Sequence, residues 1–147
     1  MRTIGNFIAA ALLSTGAAWA GEKNMMHCFA FTVQEKATPA DWDAFYKASD
    51  AMPKQMKGLV KHVWYGKLTA TLNQYAVSAE GRKKLLAGEK VVDAKVEYRP
   101  RQWGMCIELN GLSNLKAYDA HAYHKTWVDA YSKVRVEGTT TYDILGQ

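Results

Sequence analysis

With 147 residues, 48% of them apolar and 22% charged, the chain is long enough for one compact core and too apolar for a disordered segment. Its formal charge of +5 sets 19 Lys and Arg against 14 Asp and Glu. No P-loop, dinucleotide fingerprint, Ser-His-Asp order, internal repeat or low-complexity tract is present, which excludes the function classes those motifs carry.

Residues 1–20 read as a signal peptide: Arg2 supplies the positive start, Ile4 to Leu13 an apolar run too short to span a bilayer, and Ala18-Trp19-Ala20 a cleavage site. The alternative is an uncleaved membrane anchor. No later stretch is apolar enough to span, so residues 21–147 are expected as a single domain, secreted or periplasmic, without stable membrane insertion. Removing the leader removes Arg2 and no acid, leaving +4, and that excess lies between Arg82 and Arg101. Nucleic acid is not expected as the partner of an exported chain. The basic stretch therefore meets an anionic ligand, an anionic membrane surface or only water.

His27 to Val33 alternates as a strand with two partly buried faces. Thr38-Pro39-Ala40-Asp41 opens an amphipathic helix carrying Trp42, Phe45, Tyr46, Ser49 and Met52, which Pro53 is expected to close. Gly58 and Gly66 bound a second strand, Leu59 to Tyr65, and Gln102 to Leu109 reads as a third. Residues 67–101 between them form an insertion, with a short helix from Ser78 to Ala87 stopped by Gly88 and an alternating strand through Val92, Ala94, Val96 and Tyr98. Helical pieces at Ser113 to Ala120 and Tyr123 to Val134 precede a last strand, Val136 to Leu145. The order β-α-β-β-α-β is that of a ferredoxin-like half-barrel, an α+β fold with helices on one face of an antiparallel sheet. The second face needs a cover, for which a homodimeric barrel is one solution.

Cys28 and Cys106 suit an oxidising compartment and fall on strands expected to lie side by side. A bridge between parallel neighbours is awkward, so a disulfide and two buried thiols both stand as readings.

The densest group of proton-transfer residues is Tyr118, His121 and His124. Three-residue spacings put them on neighbouring helical turns, yet an unbroken helix would leave Tyr118 and His124 roughly 120° apart, so convergence on one ligand requires a bend. This block, with His27-Cys28-Phe29-Ala30-Phe31 at the front, the helix holding Trp127 and Tyr131, and Tyr142-Asp143 at the end, resembles the stress-responsive A/B barrel (Dabb) family. Ala122 stands where the family has the proline that breaks the helix. The resemblance implies a dimeric α/β barrel in which Tyr118 and His124 match the phenol and base of plant polyketide cyclases, and His27 matches their first-strand histidine.

Three functions follow as expectations. The first is binding of a small, mostly apolar or carbonyl-containing molecule in a pocket lined by His27, Tyr118, His121 and His124, with a stress-related role implied by the resemblance. The second is a cyclase or isomerase type of proton-transfer enzyme, Tyr118 polarising a carbonyl and His124 taking a proton. The third is a structural stress protein without a ligand, His121 or His124 capping helix ends. No cofactor is expected. A metal held by His121-x-x-His124 with His27, or by Met25-Met26-His27-Cys28, is a weaker alternative, because Met and Cys beside an apolar strand are usually packing residues.

Overall fold

The computed structural model describes residues 23–146, so the leader lies outside the described residues. Four strands, β1 (Met25–Val33), β2 (Val60–Val77), β3 (Val96–Leu109) and β4 (Arg135–Leu145), form one sheet in the order β2-β3-β1-β4. Every neighbouring pair is antiparallel. Helices α1 (Pro39–Gln55), α2 (Ala79–Leu86), α3 (Leu115–Ala120) and α4 (Ala122–Val134) complete the ferredoxin-like α+β fold, with a 3-10 turn at Leu112–Asn114 before α3.

Local chemistry sets most of these boundaries. The Thr38 hydroxyl accepts from the Asp41 amide, and the Asp41 carboxylate accepts from the Thr38 amide, so the start of α1 is closed in both directions. Pro53 does not close this helix. It sits inside the last turn, where only one intrahelical bond is lost, and the chain stays helical to Gln55.

The core lies between α1, α4 and one face of the sheet. Alternation puts Met25, Phe29 and Phe31 of β1 and Met105, Ile107 and Leu109 of β3 on that face, against Phe45, Met52, Trp127 and Tyr131. A buried polar bridge runs from the Trp127 indole N–H to the Ser49 hydroxyl at 3.0 Å, which satisfies a donor that burial would otherwise penalise.

The segment from Gly66 to Arg101 differs from the sequence expectation. β2 does not stop at Gly66: it pairs there with Gly104, bulges between Lys67 and Leu72, and continues to Val77 opposite an equally extended β3. Two glycines facing each other across the pair leave room for Leu68, whose Cδ2 sits 3.0 Å from where a Gly104 side chain would begin. The far half of this hairpin reaches the other edge of the sheet. Arg101, only 3% exposed, donates to Thr32 at 3.0 Å and to Thr140 of β4 at 3.1 Å, and the Thr140 hydroxyl donates to Gln74. Thus one of the basic residues read as a candidate solvated face is a buried tie. Arg99 is paired with Glu97 at 2.8 Å.

The sheet face away from the helices is apolar and partly uncovered. Trp64, Tyr142 and Ile144 are each about half exposed there, beside a groove of about 320 Å³ lined by Leu68, Leu72, Gly104 and Cys106. Cys28 and Cys106 are bonded to each other in the middle of this face. The awkwardness expected of parallel strands does not arise, because β1 and β3 are antiparallel and place the two residues directly opposite each other.

Candidate functional site

The bend that Tyr118 and His124 need is made without proline. His121 leaves helical geometry, with φ −69° and ψ 136°, and its Nδ1 accepts the Tyr123 amide at 3.2 Å. It therefore ends α3 and caps α4 at once, the role an Asn or Ser side chain usually plays. His121 is thereby set apart from the cavity its neighbours line. Across the break the Tyr118 and His124 rings meet at 4.6 Å between centroids, and His27 of β1 lies 5.9 Å from Tyr118.

These three residues line one end of a cavity of about 180 Å³ between α3, α4 and the strands β1 and β4. Phe29 floors it, and α4 supplies a wall in which His124, Trp127 and Tyr131 stack in steps of 5.8 and 4.8 Å, one helical turn at a time. Asp119 borders the histidine end, while Arg135, Thr139 and Thr141 border the other.

Hydrogen bonds fix the state of the histidines. His124 Nδ1 lies 3.1 Å from the Asp119 carbonyl oxygen, which can only accept, so Nδ1 carries the proton and Nε2 keeps its lone pair when the ring is neutral. Burial pulls the His124 pKa below its ordinary 6.5, and the charge of a protonated His27 acts the same way; the Asp119 carbonyl and carboxylate oppose them. At neutral pH the ring is thus an uncharged base. His27 is held differently, its Nδ1 2.7 Å from the Asp143 carboxylate.

Tyr118 is 1% exposed, and its hydroxyl has no hydrogen-bond partner among the described residues. Burial pushes its pKa far up, with a further push from Asp119, so the phenol keeps its proton and can only act as a neutral hydrogen-bond donor or acceptor. A buried hydroxyl without a partner costs about 1–3 kcal/mol, which a ligand oxygen would recover.

The site thus assembles His27, Tyr118 and His124 and omits His121. Sequence reasoning did not assign Asp119, Tyr131, Arg135, Thr139, Thr141 or Asp143 to it. The helical spacing from His124 through Trp127 to Tyr131 was the available signal for the wall, whereas the pairing of Asp143 with His27 spans 116 positions and has no local signature. The metal readings find no assembled ligand set. Alternation sends His27 and Cys28 to opposite faces of β1, Cys28 is in a disulfide, and among the described residues no group of three or more His, Cys, Asp or Glu is placed to hold an ion.

No protein-family model matches the chain, and no curated protein matches it. Solved structures do. A dimeric ferredoxin-like protein of unknown function from Thermobifida fusca YX aligns with a TM-score of 0.54 at 14% identity, covering 84% of this chain and 92% of its own. The hydroxynitrile lyase of Passiflora edulis aligns with a TM-score of 0.55 at 4% identity, covering 85% and 94%. A Dabb family protein with a ferredoxin-like fold from Mesorhizobium loti MAFF303099 aligns with a TM-score of 0.50 at 15% identity, covering 86% and 99%. At such identities the likeness is one of architecture, and it establishes a ferredoxin-like α+β fold similar to that of a Dabb family protein and of dimeric relatives in shape.

Proposed function

We propose that this chain is an exported, homodimeric Dabb-type protein that binds a small, mostly apolar carbonyl compound in the His27–Tyr118–His124 cavity and moves a proton on it. The observation that carries this reading is Tyr118: its hydroxyl is buried and without a partner among the described residues, and its ring lines the cavity beside an uncharged imidazole. The phenol donates a hydrogen bond to the carbonyl oxygen. His124 Nε2 takes a proton from the adjacent carbon, the electron pair moves onto the oxygen as an enolate, and the imidazolium delivers the proton to a different carbon of an extended enolate, which completes an isomerisation. In ring closure the enolate carbon instead attacks a second carbonyl of the same molecule, and the imidazolium protonates the alkoxide that forms. The Asp119 carbonyl stays bonded to Nδ1 throughout and steadies the charged ring. That a hydroxynitrile lyase shares the architecture supports a catalytic use of this fold.

Replacing Tyr118 by Phe tests the reading with two opposite signs. Stability should rise by about 1–3 kcal/mol, because the unsatisfied hydroxyl is gone while the ring still packs. Affinity for a carbonyl probe such as acetophenone should fall. A stability rise with unchanged affinity would remove Tyr118 from the binding site, whereas absence of binding by the wild type would favour a structural stress protein without a ligand.

Export and dimerisation rest on separate features. The apolar run before Ala18-Trp19-Ala20 supports a cleaved leader, and the Cys28–Cys106 disulfide supports an oxidising compartment. The half-exposed Trp64, Tyr142 and Ile144 on the open sheet face support pairing with a second copy, as do the dimeric structural neighbours. Native mass spectrometry of the exported fraction reads both. A dimer of chains beginning at Gly21 is expected, and a monomer or an intact Met1 would overturn the corresponding half.

A further inference from the structure

The cavity has two electrically different ends. Asp119 borders the Tyr118–His124 end, and the His27–Asp143 pair lies beside it. At the other end stands Arg135, whose guanidinium lies 4.7 Å from the centre of the Tyr131 ring. Among the described residues its Nε is fully buried without a hydrogen-bond partner, and its Nη1 reaches the Val136 carbonyl at a long 3.4 Å. None of the ion pairs among the described residues involves Arg135.

A guanidinium has five donors in a planar fork, and leaving one of them buried and unbonded is costly unless an acceptor arrives. Around it the cavity offers the Tyr131 hydroxyl, itself buried and without a well-formed bond, and the Thr139 and Thr141 side chains. One guanidinium, one phenol and two threonines thus converge where no carboxylate of the cavity lining stands. Fork geometry favours a planar, two-oxygen anion over a single charged atom.

We infer that Arg135 anchors a carboxylate of the ligand, making the natural ligand class an elongated, single-ring or short-chain carbonyl acid with its carboxylate at the Arg135 end and its carbonyl at Tyr118. This rests on the cavity reading proposed above and adds the ligand's charge and its direction. Asp119 at the opposite end repels the carboxylate and so fixes the same orientation. Length follows from the wall: His124, Trp127, Tyr131 and Arg135 succeed one another in steps of 5.8, 4.8 and 4.7 Å, more than one ring spans. Width follows from the volume. A cavity of 180 Å³ compares with the about 150 Å³ that suffices for benzene, so one ring fits.

Calorimetric titration with 4-acetylbenzoate and with its neutral amide, 4-acetylbenzamide, tests this on the wild-type protein and on Arg135→Gln and Arg135→Lys. In the wild type the acid should bind at least about tenfold more tightly than the amide, the scale of one charge-assisted hydrogen bond. Arg135→Gln should erase that preference while leaving amide binding in place, and Arg135→Lys should retain part of it. Equal binding of acid and amide to the wild type, or an acid preference that survives Arg135→Gln, would overturn the carboxylate anchor and leave the cavity reading standing. Absence of binding by either compound at millimolar concentration would overturn both. Retained amide binding by Arg135→Gln also shows that the variant has folded.

Discussion

Replacing both Cys28 and Cys106 by Ala is expected to lower the unfolding free energy by about 4.5 kcal/mol, the largest stability effect of any change outside the aromatic core. The bridge joins positions 78 residues apart, and a cross-link that closes so long a loop removes much of the freedom of the unfolded chain. The magnitude is the chain-entropy expectation for a loop of that length, and loss of the buried Cys28 sulfur adds to it. Urea titration of the oxidised protein, the reduced protein and the double variant measures the effect directly. A loss below about 1 kcal/mol would show that the unfolded chain gains little freedom from the missing bridge. Binding in the cavity should be spared, because the disulfide lies on the sheet face opposite His27 and Phe29.

The largest effect on chemistry should come from His124→Ala. Exchange of the methyl protons of acetophenone for deuterium, followed by NMR, reads proton abstraction next to a carbonyl. The variant should lose about 10²–10⁴-fold of the protein-catalysed rate, the usual contribution of one general base. The pH profile gives the second arm. His124 must be unprotonated to act, and burial lowers its pKa below 6.5, so the rate should rise with pH to a plateau whose midpoint lies on the acid side of 6.5. Stability follows the same group. A depressed folded pKa means that the unfolded chain binds the proton first as pH falls, so this contribution is present above about 6.5 and is lost as pH drops through the folded value. An unchanged rate in His124→Ala, or a midpoint well above 6.5, would remove His124 as the base.

Much of the fold was readable in local chemistry. The alternation from His27 to Val33, the Thr38–Asp41 capping box and the helical spacing of Trp127 and Tyr131 each declare an element within a few residues, because period and cap are short-range properties. The same holds for the Tyr118–His124 pair, whose closeness in sequence limited where the two groups could lie. The helix break did not require proline. His121 supplies it with a ring nitrogen, a role that becomes visible only once the Tyr123 amide is in place to be capped.

Other features depended on residues far apart. Strand boundaries at Gly66 and Gln102 were misplaced because glycine usually weakens a strand, while here Gly66 faces Gly104 and Leu68 fills the space over the pair. The disulfide followed from antiparallel register, which a list of two cysteines does not contain. The sequence by itself determined the order of elements, the apolar faces and the residues able to move a proton, all of them set by periodicity and side-chain chemistry. Only the tertiary structure decided that Asp143 would hold His27, that Tyr118 would be buried without a partner, and that Arg135 would close the far end of the cavity, because each depends on which groups the packed sheet and helices exclude from water.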